Sequence, residues 1–428
     1  MPDHRIMSHR QWMMVLLLTI SVVVNYSDRS NLSISAPLIA HQFALDPLRL
    51  GALLSAFFWT YALMQIFGVA GYLADRLPVG WVMLGGYSLW SVATILAGFT
   101  SGLTTLFLVL LLLGVGESVA YPCYSRIFAE LPPQHRGRAN AIVDTGTKIG
   151  PALGAFLGGL ILVHSGWRML FFVLGAAGLL WILPWLRVMP RPRHVTAAHQ
   201  SACDVPTVAG FAQLVRTRSA WGTFLGHFSG NYFFYFLLTW LPTYFVREEH
   251  LSIRAMSRLT AGVFLLSAVI TLLGGWLSDR LIARGVSATR ARRPFVAGGM
   301  LIASSLGAIA FVPHNFTLSL AIMAVASIGY GAFASNHWAI CQTLSGPKMA
   351  GRWTSLQNGI ANLAGIVAPW LAGWIAEKYG SLRLTFLVVG SVALGGSAAW
   401  RFLVREVEPV DWQLPATEEI AAARGSRS

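Results

Sequence analysis

The stretch Trp12–Ala40, WMMVLLLTISVVVNYSDRSNLSISAPLIA, decides how this chain is read. A membrane helix needs about 20 mostly apolar residues, and this run supplies them. Yet it holds Asp28 and Arg29 side by side. A charge near a bilayer centre costs at least ~2.5 to 3.5 kcal/mol on insertion scales, so such residues usually face a cavity, pair, or carry protons and substrate. Glu117, Asp144 and Lys148 raise the same question in later apolar runs.

Composition extends that reading to the whole chain. Of 428 residues, 55% are hydrophobic and 11% charged, whereas a soluble domain carries roughly 25% charged residues. An integral membrane protein is implied. The formal charge of +14 could suggest nucleic acid. The arginines, however, fall mostly between apolar segments, at Arg136, Arg138, Arg191, Arg193, Arg216, Arg218, Arg290, Arg292 and Arg293. That is the positive-inside pattern of cytoplasmic loops, and no aromatic-interleaved basic face accompanies it. Cys123, Cys203 and Cys341 form neither a CxxC pair nor a metal spacing and read as small hydrophobes. The amino-terminal apolar run is too long for a signal peptide and lacks a clear cleavage site, so it reads as a retained first helix.

Twelve spans can be drawn, near 12–38, 50–73, 80–100, 102–126, 139–163, 167–188, 220–246, 256–281, 294–312, 315–343, 351–376 and 382–404. The expectation is an all-α integral membrane protein with both termini cytoplasmic. Its domains are an amino-terminal six-helix bundle at 1–190, a polar, proline-containing linker at 191–219, a carboxy-terminal bundle at 220–405 and a cytoplasmic tail at 406–428. The halves share a motif at the end of their second spans: GYLADR at 71–76 and GWLSDR at 275–280. Internal symmetry of this sort is typical of secondary transporters, whose sites lie near the midplane between repeats. The couples Asp75-Arg76 and Asp279-Arg280 either latch one conformation across a loop or simply cap helix ends.

Apparent enzyme motifs carry no weight. Asp144-Thr145-Gly146 lies in an apolar helix without the second copy that an aspartic-protease dyad needs. Thr147-Lys148 lacks the glycine-rich run of a nucleotide-binding loop. No enzyme and no cofactor are expected.

Asp28 lies a little past the middle of its span and Glu117 close to the middle of the fourth, so both can reach a central cavity. There a carboxylate is pulled between desolvation and nearby cations, which suits it to proton exchange. A static ion pair with Arg29 or Lys148 is the plainer reading. Arg29 offers a planar fork for a carboxylate. Adjacent helical residues point about 100° apart, so Asp28 and Arg29 address different neighbours. Asp144 and Lys148 are one turn apart and can pair. Tyr61, Asn231, Tyr232, Tyr235, Trp338, Asn358 and Asn362 can hydrogen-bond or stack on a polyhydroxylated ligand. The asparagines are the stronger candidates, because a buried amide needs partners.

These residues carry a resemblance. Asn25-Tyr26-Ser27-Asp28-Arg29-Ser30-Asn31-Leu32, Gly114-Val115-Gly116-Glu117 with Tyr121-Pro122, Gly230-Asn231-Tyr232 with Leu238-Thr239-Trp240-Leu241-Pro242-Thr243-Tyr244, and Asn358, Gly359, Asn362-Leu363-Ala364-Gly365-Ile366 with Pro369 resemble the major facilitator superfamily. Within it they resemble the anion:cation symporter family of bacterial sugar-acid transporters and vesicular organic-anion carriers. The resemblance implies the two-bundle major facilitator fold, in a multi-pass, monomeric protein of the bacterial cytoplasmic (inner) membrane. Its partners are the lipid bilayer, a small organic anion and a coupling proton, or a sodium ion in some members. It implies proton-coupled symport by alternating access, with Asp28 and Glu117 in proton coupling, Arg29 on the substrate carboxylate, and Tyr61 with Asn358 or Asn362 lining the site.

Relatives of that kind often place an arginine one or two turns before the fourth-span glutamate, where this chain has Leu110. Lys148 either replaces that cation at the substrate, with Asp144 restraining it, or forms a self-satisfied pair with Asp144. Gly150-Pro151, Gly154, Gly158 and Gly159 loosely resemble a proton-antiporter motif and keep proton-driven efflux of a small amphiphile open. A transporter-fold sensor is a third, weaker reading.

Overall fold

The computed structural model describes residues 7–129, 133–190, 214–312 and 315–410. The linker and tail therefore fall largely outside the described residues. The side chains of Asp75, Asp144 and Lys148 fall outside them too. Among the described residues every regular element is a helix: α1 His9–Gln42, α2 Pro47–Ile66, α3 Val69–Arg76, α4 Val79–Phe99, α5 Leu103–Ser118, α6 Ala120–Ala129, α7 Pro133–Val188, α8 Arg218–Arg247, α9 Ile253–Ala283, α10 Ala288–Ala303, α11 Phe316–Asn362, α12 Ala364–Tyr379 and α13 Arg383–Ala398. A 3₁₀ segment, Ser304–Phe311, continues α10, and a π turn, Ala399–Leu403, continues α13.

Local chemistry sets these boundaries. Ser8 and Gln11 form a reciprocal capping box that starts α1. Asp46 caps α2 through the Arg49 amide, with Pro47 at the first helical position. Pro122 has no N–H for the Ser118 carbonyl, which accounts for the break between α5 and α6. Gly166 (φ 76°) and Gly346 (φ 58°) turn the chain inside α7 and α11, so each of these holds two crossings. Pairing α2 with α3, α5 with α6, and the end of α11 with α12 then gives the expected two sets of six.

Nine segments among the described residues are long and apolar enough to cross a bilayer, one of them, Thr145–Val188, long enough for two. α1 and α8 are not among the nine. They are long enough, but the polar run Asn25–Ser35 in α1 and the aromatic, polar face of α8 dilute their hydropathy. Both are largely buried, packed against each other and the surrounding helices. The two least lipid-like helices thus sit at the centre, where the site is.

Glycines on α7 allow close packing on α1. A Cβ on Gly150 would lie 2.6 Å from Tyr26 Cβ, on Gly154 2.9 Å from Ser27, and on Gly158 2.5 Å from Asn31 Oδ1. This four-residue ladder is the small-residue stripe by which membrane helices approach closely. Ser27 and Ser30 use the proximity to donate to the Gly150 and Pro151 carbonyls at 3.0 and 3.2 Å.

The bundles meet along two seams in the half of the molecule away from the N terminus. A Cβ on Gly51 (α2) would lie 2.6 Å from the Pro369 carbonyl oxygen and 3.0 Å from Gly373 Cα (α12). On the other side, Gly159 (α7) abuts Ser257 (α9). The molecule is closed at the face opposite the N terminus, called here the far face.

Candidate functional site

Asp28 and Arg29 diverge as consecutive helical residues must. Asp28 turns to α4, where the Trp90 indole N–H donates to its Oδ2. Its Oδ1 is buried with no hydrogen-bond partner among the described residues. Arg29 turns toward α2 and α5. Its Nε and Nη2 donate to a single oxygen, Glu117 Oε2, at 3.1 and 2.9 Å, in a pair whose side chains are 4% and 0% exposed.

Two glycines bring Glu117 into reach. A Cβ on Gly114 would collide with the Phe57 carbonyl of α2, and one on Gly116 would lie 2.7 Å from the Trp90 amide of α4. Thr60 reinforces the first contact by donating to the Leu111 carbonyl at 2.6 Å. The GVGE motif thus lets α5 wedge between α2 and α4 with its glutamate aimed at Arg29.

Aromatic rings enclose the guanidinium. Its Cζ lies 4.8 Å from the Tyr26 ring centroid, 4.6 Å from Phe57, 4.8 Å from Tyr61 and 5.9 Å from Phe58. Cation–π attraction strengthens when the cation is desolvated, so the rings hold Arg29 in place without using its N–H donors. The Nη1 donors make no hydrogen bond among the described residues.

A hydrogen-bonded chain crosses from one bundle to the other beside this cage. Gln65 on α2 accepts from Asn358 Nδ2 at 3.3 Å. Asn362 donates to the Asn358 carbonyl at 2.9 Å and accepts from the Tyr235 hydroxyl at 2.8 Å. The Tyr235 ring packs on Phe58 with centroids 4.4 Å apart. Tyr61, Tyr235, Asn358 and Asn362 are therefore brought together beside the Arg29 cage. Asn231, half-buried one turn before Tyr235, makes no hydrogen bond among the described residues.

Tyr232 and Trp338 lie elsewhere. Tyr232 packs on Phe228, 6.2 Å between centroids. Trp338 packs on His227 and His337 at 4.8 and 5.1 Å, in a polar cluster inside the carboxy-terminal bundle that Gln357 joins through His227 Nδ1 at 3.3 Å. Asp279 pairs with Arg292 at 3.1 Å across the loop between α9 and α10, while Arg76 and Arg280 lie over Tyr72 and Trp276.

A cavity of about 30 Å³ adjoins Arg29, with Asp28, Ser33, Thr94 and Thr239 as polar lining and Leu110 among the apolar residues. At about 10 to 15 Å³ per water it has room for about two. Leu110 thus borders the Asp28 and Arg29 region and forms an apolar wall beside the charged pair. Trp90, Gln65 and Phe57 are site residues that sequence reading missed. Gln65 left a signal, a lone amide in an apolar helix; Trp90 left none, because tryptophan in a membrane span usually reads as packing or an interface anchor.

Two six-crossing bundles meeting over a buried, ring-held cation define a membrane transporter rather than an enzyme. Comparison with known proteins places the chain in a family. The Major Facilitator Superfamily model matches residues 18–289 and 250–427, and the chain belongs to that superfamily. The uncharacterized transporter YybO of Bacillus subtilis (strain 168) is 30% identical over 420 residues, covering 94% of this chain and 96% of YybO. The probable galactarate/D-glucarate transporter GarP of Escherichia coli (strain K12) is 29% identical, covering 95% and 97%. The D-galactonate transporter of Escherichia coli O6:H1 is 29% identical, covering 94% and 97%. Among solved structures, a bacterial homolog of the human lysosomal transporter Spinster in an inward-facing, occupied conformation superposes with a TM-score of 0.76 at 20% identity, covering 96% of this chain and all of that one.

Proposed function

We propose that this transporter moves a small carboxylate, of the sugar-acid type named for its relatives, by proton-coupled symport into the cell. The observation that carries the reading is the Arg29 and Glu117 pair: a guanidinium fixed by rings, neutralised through one glutamate oxygen, with N–H donors left over.

The physics of that pair supplies a coupling rule. An arriving carboxylate matches the guanidinium fork and competes with Glu117 for it. A displaced, buried glutamate cannot stay charged without its cation and takes up a proton. With a monocarboxylate, anion and proton then occupy the site together, and its net charge is the same loaded as empty. Release of the anion returns Arg29 to Glu117 and expels the proton. Asp28, held by Trp90 beside a cavity with room for water, is the second proton carrier.

Asn231, Asn358, Asn362, Tyr61 and Tyr235 present amide and hydroxyl groups that suit a polyhydroxylated ligand. Alternating access then requires the seams at Gly51/Gly373 and Gly159/Ser257 to part at the far face. Lys148 lies on α7, whose backbone passes α1 at the level of Val22 to Ser27; it serves either as a second cation for the anion or as the partner of Asp144.

Uptake of labelled hexonates and hexarates into proteoliposomes tests the proposal. Accumulation is expected under an inside-alkaline pH gradient and should collapse with a protonophore. Flux that ignores the gradient would sink the coupling, and outward-driven flux alone would select efflux.

A further inference from the structure

The far end of the α7 and α9 seam holds a second cavity, of about 60 Å³, that has no part in the site above. It is a groove between two helix faces. α7 contributes Phe156, Leu160, Val163 and His164 at helical spacing; α9 contributes Arg254 and Arg258, one turn apart. At its floor Gly159 abuts Ser257, so the groove spans both bundles.

Its chemistry is divided along the membrane normal. Phe156, Leu160 and Val163 are 46%, 44% and 42% exposed, as residues turned to lipid are. Above them, at the end of the α7 crossing and the start of α9, lie the two arginines and His164. Arginines on this face run against the tendency to keep positive charge on the inner side. Several others at the same level are held by the protein: Arg49 pairs with Asp46, Arg383 with Glu249, and Arg168 donates to Gln42 and the Thr100 carbonyl, whereas Arg247 at the end of α8 makes no such contact among the described residues. Arg254 and Arg258 make no hydrogen bond or ion pair among the described residues.

We propose that this groove binds an anionic phospholipid, its phosphodiester on Arg254, Arg258 and His164 and an acyl chain along Phe156, Leu160 and Val163. Charge complementarity and the apolar strip directly beneath the cations together select a lipid over a soluble anion. Guanidinium groups match phosphate oxygens in paired hydrogen bonds. Because the groove exists only while Gly159 meets Ser257, a lipid seated there bridges the two bundles in the state closed at the far face.

Native mass spectrometry of the purified full-length chain, with phosphatidylglycerol and phosphatidylcholine of the same acyl chains, tests this. The wild type should retain phosphatidylglycerol preferentially. At roughly 1 kcal/mol per arginine near a lipid surface, Arg254→Gln/Arg258→Gln should lose about ten- to thirtyfold of that preference. Arg254→Lys/Arg258→Lys should keep most of it, and Arg284→Gln, at the opposite end of α9, should leave it unchanged. An equal preference in the wild type and the double glutamine variant overturns the proposal. So does a folded lysine pair without preference, or glycerol phosphate raising the thermal midpoint as much as the intact lipid at equal concentration.

Discussion

Arg29 binds Glu117 through one oxygen only: Nε and Nη2 converge on Oε2, while Oε1 is buried with no hydrogen-bond partner among the described residues. A fork meeting a single oxygen is a weaker use of arginine than a fork meeting two. An incoming carboxylate can use the guanidinium better than its resident partner does. Arg29→Lys keeps the charge and removes the fork. A hydrogen bond to a charged group is worth about 1.5 to 3 kcal/mol, so the KM for the anion should rise roughly 10- to 150-fold. Concentration-dependent uptake at fixed pH checks this, and an unchanged KM would remove Arg29 from the substrate.

Glu117→Gln separates the charge from the shape. It leaves a buried arginine without its counterion, which costs about 3 to 5 kcal/mol when one member of a buried pair is removed. The empty variant should therefore melt well below the wild type. A bound carboxylate supplies the missing negative charge, so the rise in midpoint on adding a transported anion should be larger in the variant. A smaller rise would mean that Glu117 and the anion do not compete for Arg29.

Asp28 depends on Trp90. Asp28→Asn retains an oxygen to accept from the indole but cannot carry a proton, so the accumulation reached under a given pH gradient should fall while anion exchange at equal pH persists. Trp90→Phe leaves the carboxylate buried with its donor gone, which should cost about 1 to 3 kcal/mol of stability. Combined with Asp28→Asn, the loss from Trp90→Phe should shrink, because a neutral amide is cheaper to leave unpaired. Additive losses in that cycle, measured by thermal unfolding, would show that the two side chains do not act on each other.

How much of this was legible can be argued residue by residue. Apolar length and the repeated GYLADR and GWLSDR segments laid out two sets of six crossings, because bilayer thickness sets a strict rule for helix length. Asp28, Arg29 and Glu117 were legible because charges in apolar runs are costly and therefore few. Their pairing was not. Glu117 could have met Lys148 as readily as Arg29, and only the fit of Gly114 and Gly116 against α2 and α4 aims it at Arg29. Tyr232 and Tyr235 look alike in sequence, yet only the second reaches Asn362. The difference is their angle around α8, which depends on how α8 and α11 pack within the carboxy-terminal bundle.

The docking itself is open to test at Gly373. A Cβ there would meet the Pro47 carbonyl and lie 3.0 Å from Gly51 Cα, backbone that cannot swing aside like a side chain. Gly373→Leu should therefore strain only the state in which the far face is closed. Overpacking costs about 1 to 3 kcal/mol, which shifts a two-state balance by roughly 5- to 150-fold. Ser33 is 1% exposed and lines the cavity beside Arg29, so it reports on that opening. Ser33→Cys should react slowly with an impermeant thiol reagent added from the far side, and much faster once Gly373→Leu is introduced. Equal rates in the two backgrounds would mean that α2 and α12 stay together through the cycle, and that access to Arg29 from that side opens elsewhere.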